Sequence, residues 1–222
     1  KKLGGAIAGA FAVAKVIQFA KESAKMYDIQ EKAEASLLTA LKGRKATQES
    51  LIRQAKDLQK ITLFSDEDTI AAQSLIAAFT KEESQIKSLT RVTQDFATAK
   101  GFDLKAAAEL VAKTFASSTN SLTRYGIQVE GAAGSSERLT SVVTALDKAF
   151  KGQAESAAKV GLGALQQWQN RINDIRENLV RGTLSLLGFR DATISQKQVS
   201  EDLNQEFNIQ LGILKSGNLS TE

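Results

Sequence analysis

Residues 64–115 read FSDEDTIAAQSLIAAFTKEESQIKSLTRVTQDFATAKGFDLKAAAELVAKTF, and the punctuation of this stretch decides the fold. Ser65 stands where an N-cap belongs. Asp66, Glu67 and Asp68 follow it in the first helical turn, where the helix dipole favours negative charge. Ile70, Leu75, Ile76 and Phe79 give that helix an apolar face. Thr80 with Glu83 reads as a capping box for the next helix. There Ile86, Leu89, Val92 and Phe96 recur at steps of three and four, as one helix face requires. Gly101 ends that helix and Asp103 caps a third, whose Leu104, Ala108, Val111 and Phe115 again share a face. Three short helices joined by tight turns predict helical hairpins.

The same pattern extends in both directions. The 222 residues include no proline, cysteine or histidine. Proline breaks helix interiors, so its absence leaves the chain free to form long helices. A helix is predicted through Ile17, Tyr27, Leu38 and Leu41 to a stop at Gly43, and another from Thr47 to Lys60. Residues 117–136, SSTNSLTRYGIQVEGAAGSS, are the main irregular region, with one short extended piece expected at Ile127–Val129. Ser136 is read as the cap of a helix ending at Gly152, and a long helix is expected from Ala154 to Leu187. The fold class is therefore all-α: helical hairpins between two long helices. The expected segments are 1–42, an apolar and amphipathic N-terminal helix; 43–152, the hairpin region; 153–188, a long coiled-coil-like helix; and 189–222, a polar amphipathic tail.

Two stretches point to function. Residues 3–14, LGGAIAGAFAVA, carry no charge but are too short to span a bilayer, which takes about 20 apolar residues. Gly5, Ala6, Gly9 and Ala10, with Phe11 beside them, form small-residue rows that let helix backbones approach closely. They suit a membrane-active or tightly oligomerising segment, and equally an inner bundle helix. Leu165, Trp168, Ile172, Ile175, Leu179 and, beyond Gly182, Leu186 step at three and four residues. That seam of about three heptads fits an oligomeric coiled coil, and a packed bundle face explains it as well. In the tail, Val199, Leu203, Phe207, Leu211 and Leu214 make an amphipathic stripe for a partner.

Catalytic templates fail one after another. Without cysteine and histidine the chain lacks the thiolate nucleophile and the usual general base and metal ligand. Gly161-Leu162-Gly163 follows no strand, so it is no dinucleotide fingerprint. The acids at 66–68 point in different directions around a helix, and capping explains them better than a cation site. No enzyme activity, metal or cofactor is expected. The net charge of +4 is uneven: residues 1–60 carry 12 Lys/Arg against 6 Asp/Glu. That excess falls short of a dedicated nucleic-acid stripe, and a solvated helix face explains it. The opening at Lys1 reads like the middle of a longer protein.

Four blocks in order resemble the conserved helical region of phage tail tape measure proteins. They are ALKGRKATQESLIRQAKDLQKITLFSDEDTIAAQSLIAAF (40–79), VTQDFATAKGFDLKAAAELVAKTF (92–115), SLTRYGIQVEGAAGSSERL (121–139) and FKGQAESAAKVGLGALQQWQNRINDIRENL (150–179). Order and spacing carry the resemblance more than any single block. Val180-Arg181-Gly182 departs from the family's usual Ile-Gly, and Lys159-Val160 from its small or hydroxylic pair. The resemblance implies a virion structural component that sets tail length during assembly and leaves the tail tube or tip at DNA ejection. It implies as partners further copies of the chain in a homotrimer, the tail tube and tip proteins, and a host membrane after ejection. No specific nucleic acid is implied. The alternative is a membrane-active helical effector or pore former.

Overall fold

The structure is a computed structural model that describes the backbone of residues 2–186 and the side chains of residues 18, 19 and 21–181. It is all-α. Among the described residues eight helices follow in order: α1 (Lys2–Ala40), α2 (Lys45–Gln59), α3 (Asp66–Ala77), α4 (Glu83–Lys100), α5 (Leu104–Ala116), α6 (Ser136–Phe150), α7 (Gln153–Ala158) and α8 (Gly163–Leu186). A single 3-10 turn, Thr123–Tyr125, interrupts the loop before α6. The described residues divide into two compact units, Glu31–Asn170 and a second made of residues 2–30 with 171–186.

The unit 31–170 is built around α4, which packs against α2, α3, α5, α6 and α7. Its apolar row, Ile86, Leu89, Val92 and Phe96, is fully buried. Leu37 and Leu41 of the α1 end, Leu51 of α2, Ile70 and Ile76 of α3, Val111 and Phe115 of α5, and Val142 and Leu146 of α6 complete one continuous core. Phe96 is its aromatic centre. The ring meets Phe102 edge-on at 5.7 Å, Tyr125 at 5.3 Å and Phe150 at 5.7 Å between centroids. Each such pair adds about 0.5–1.5 kcal/mol beyond area burial. One α4 side chain thus fastens the α4–α5 turn, the 3-10 turn and the end of α6.

The predicted caps at the α3 start and at both ends of the α4–α5 turn are present. Ser65 Oγ accepts from the Asp68 amide, Gly101 turns left-handed at φ +66°, and Asp103 accepts from the Lys105 and Ala106 amides. Other details differ. The α4 start is no Thr80–Glu83 capping box. Thr80 Oγ1 accepts from the Glu82 amide and donates to Gln85 Oε1, because the helix begins two residues later than such a box needs. Ser135 rather than Ser136 caps α6, accepting from the Arg138 amide at 3.1 Å. Residues 127–129 form no strand.

Buried Arg138 holds the irregular loop in place. Its Nε donates to Thr114 O at 2.6 Å, and Nη1 donates to Gly131 O at 3.0 Å. A guanidinium at the last turn of α5 also complements that helix's negative end. Gly131, at φ +91°, must be glycine on two counts: its backbone is left-handed, and an added Cβ would lie 2.6 Å from the Arg138 amide.

The long helix expected over 154–187 is two helices. Gly161, at φ +56°, turns the chain between α7 and α8, so the seam predicted from Leu165 belongs to α8 alone.

In the other unit, Ile172 and Ile175 of α8 are buried. Arg176 pairs with Glu22 at 3.0 Å and lies over the Phe19 ring, and Arg181 lies over Tyr27. These cation–π contacts tie residues 19–27 of α1 to residues 176–181 of α8.

Phe96→Ala should cost about 3–5 kcal/mol through cavity formation. Arg138→Met should cost about 1–3 kcal/mol by stranding buried carbonyls. Urea unfolding followed by circular dichroism measures both, and two variants within about 0.5 kcal/mol of the parent would contradict this packing.

Candidate functional site

The start of α8 is the most distinctive surface of the unit 31–170. Its position is fixed from α4 outward. Arg91 forms a two-toothed bond to Asp147 of α6 at 2.7 and 2.9 Å, and its guanidinium is held above its ordinary pKa chiefly by that bond. Asp95, one turn on, accepts from the Gly152 amide at 3.2 Å and the Ala154 amide at 2.9 Å. These amides open α7, whose own first residues provide no side-chain cap. A buried carboxylate on α4 therefore caps α7 from outside.

From α7 the chain turns through Lys159–Leu162. Gly163 is required there, because an added Cβ would run into the carbonyls of Ala157 and Ala158. The first turns of α8 are then stitched to the turn after α2. Gln167 Nε2 donates to Lys60 O at 3.1 Å and Thr62 O at 3.3 Å, and buried Asn170 Nδ2 donates to Leu63 O at 3.3 Å. Ile61 lies between the two carbonyls that Gln167 bridges.

This stitching turns Gln167 and Asn170 inward and leaves Leu165 and Trp168 outward, beside the exposed Gln166 and Gln169. Val160 is 66% exposed, Leu162 79%, Leu165 48%, Trp168 36% and Ile61 44%. Scattered exposed apolar residues are ordinary, but several large ones held together on fixed backbone mark an interaction surface. A tryptophan at its edge strengthens that reading, since tryptophan is enriched among residues that carry binding energy.

The predicted seam is thus divided. Leu165 and Trp168 face solvent, Ile172 and Ile175 are buried, and Leu179 is half-buried. The Leu186 side chain lies outside the described residues, as do those of Gly5, Ala6, Gly9, Ala10 and Phe11. Among the described residues no helix is long and apolar enough to cross a membrane. Val160, Leu162 and Ile61 escaped sequence reading. The alternation Val160-Gly161-Leu162-Gly163 was the available signal, since two glycines so close mark a break in a helix.

The polar clusters have less chemistry to offer. Ser50, Glu83 and Lys87 converge: Ser50 Oγ donates to Glu83 Oε1 at 2.6 Å, and Lys87 Nζ donates to Ser50 Oγ at 2.8 Å and Glu83 Oε1 at 2.7 Å. The hydrogen bond from Lys87, then that from Ser50, holds the Glu83 carboxyl below its usual range. A weaker base is poorly suited to activate a serine. The cluster instead joins α2 to α4. Asp66 and Glu67 are buried in the first turn of α3, and burial, with Glu67 beside it, pushes the Asp68 carboxyl up. No group of three or more acids among the described residues is placed to hold a metal ion.

No protein-family model matches the chain, and neither a curated protein nor a solved structure matches it.

Gly163→Ala should destabilise the unit by about 1–3 kcal/mol, the usual cost of overpacking. It should also change the emission of Trp168, the sole tryptophan. Thermal unfolding with an unchanged midpoint and unchanged emission would contradict a turn that only glycine fits.

Proposed function

We propose that this chain is a structural, non-enzymatic component of a bacteriophage or prophage tail, of the tape measure kind. In this reading it sets tail length during assembly and is released at DNA ejection. The observation that carries the proposal is the outward apolar surface of Val160, Leu162, Leu165 and Trp168, fixed on a rigid all-helical unit. Such a surface is suited to packing against other helices. The four ordered blocks between residues 40 and 179 supply the tail assignment, and the surface supplies the mode of action. Its partners are further copies of the chain, as a homotrimer, and the tube and tip proteins around it. Its location is the virion, inside the tail tube or tip.

The assignment is tested in particles whose genome encodes this chain. Purified tails should contain it, and in-frame deletions should shorten them by about 1.5 Å per residue removed where the chain runs as extended helix. Tails that lack the chain, or that keep their length, would overturn the assignment. For the isolated protein, sedimentation should show a trimer, and a stable monomer over a wide concentration range would count against assembly.

A further inference from the structure

The outward surface at the start of α8 is apolar with a basic rim. Lys159 stands beside Val160, and Arg171 lies one turn beyond Trp168; both are exposed. A fitting partner is therefore apolar and acidic. Residues 64–80 have that composition but are built into α3, and a second such stretch lies outside the described residues. Residues 198–214, QVSEDLNQEFNIQLGIL, carry Glu201, Asp202 and Glu206 and no lysine or arginine. Leu203, Phe207 and Leu211 recur there at steps of four, as an amphipathic partner of a helical surface requires.

We propose that residues 199–214 of one copy dock on the Leu162–Leu165–Trp168 surface of a second copy, with the acids of the segment set against Lys159 and Arg171. The inference rests on the assembly reading and names the contact that assembly uses. A second copy is the source that the assembly reading supplies. A contact between two different surfaces of like copies closes into a ring where its rotation allows, and three copies suffice for one. The charges set direction and rate of encounter, while Phe207 and Trp168 supply the buried apolar contact.

The experiment uses the full chain and the emission of Trp168, its sole tryptophan. The proposal expects emission to shift to shorter wavelength as concentration rises, in step with association measured by sedimentation. Leu203→Asp with Phe207→Asp should weaken association about thirtyfold, the loss of one strong contact. In protein too dilute to associate it should leave helix content and unfolding temperature unchanged. Glu201→Lys with Asp202→Lys should also weaken it, and Lys159→Glu with Arg171→Glu should restore it. Oligomers that form equally well with Phe207→Asp, without a change at Trp168, would overturn this contact and leave the assembly reading standing. A monomer at every concentration would overturn both. Emission that is short-wavelength at all concentrations and lost with Phe207→Asp would place the segment on its own chain and overturn docking between copies.

Discussion

Asp95 accepts the two amides that open α7, and the neighbouring Phe96 ring gathers Phe102, Tyr125 and Phe150. These two adjacent residues of α4 explain why the later part of the unit sits where it does. Phe96 fixes the loop and helix ends around it because three half-buried rings pack onto its fully buried one. Asp95 fixes the direction of α7 by replacing a missing helix cap with a buried carboxylate. Both α7 and the turn at Gly161 then aim α8 at the 60–63 turn, where Gln167 and Asn170 hold it. The outward apolar surface follows, because Gln167 and Asn170 take the side of the helix that faces the unit.

The interior is also more polar than an ordinary bundle core. Thr69, Gln73, Thr90, Thr93 and Gln94 are all buried. Thr90 and Thr93 return their hydroxyls to carbonyls one turn back, which leaves their methyl groups for packing. Gln94 donates to Thr69 Oγ1, and Gln73 donates to Leu51 O, so side chains of α3 and α4 recognise one another and α2 by direction as well as by shape. Apolar contact alone tolerates sliding between helices, whereas a hydrogen bond across them does not. The arrangement holds one register among α2, α3 and α4.

Most of the helices were legible in the sequence because their signals are local. Ser65, Gly101, Asp103 and Gly152 sit at helix ends for reasons contained within a few residues, and the row Ile86–Phe96 has the period of a helix. The errors fell where distant groups decide. Thr80 looked like a cap by spacing, yet Gln85 takes its hydroxyl. The 153–188 stretch looked continuous, yet Gly161 turns the chain there, and distant groups hold the two pieces, Asp95 on α7 and the 60–63 carbonyls on α8. Arg138 carries no local signal in the sequence, yet it is buried on the carbonyls of Thr114 and Gly131. The surface at Leu162 was illegible for a related reason. Periodicity reports which residues share a face, and only the stitching by Gln167 and Asn170 determines which face remains outside.

Amide hydrogen exchange on the full chain, followed by mass spectrometry at two protein concentrations, tests this account most directly. Residues 91–97 of α4 should be the slowest to exchange at both concentrations, since opening them requires opening the whole unit. Residues 160–168 should exchange quickly in dilute protein and become protected as concentration rises. Slow exchange centred on another helix, or a 160–168 stretch indifferent to concentration, would contradict a unit organised by α4 that works through the surface at the start of α8.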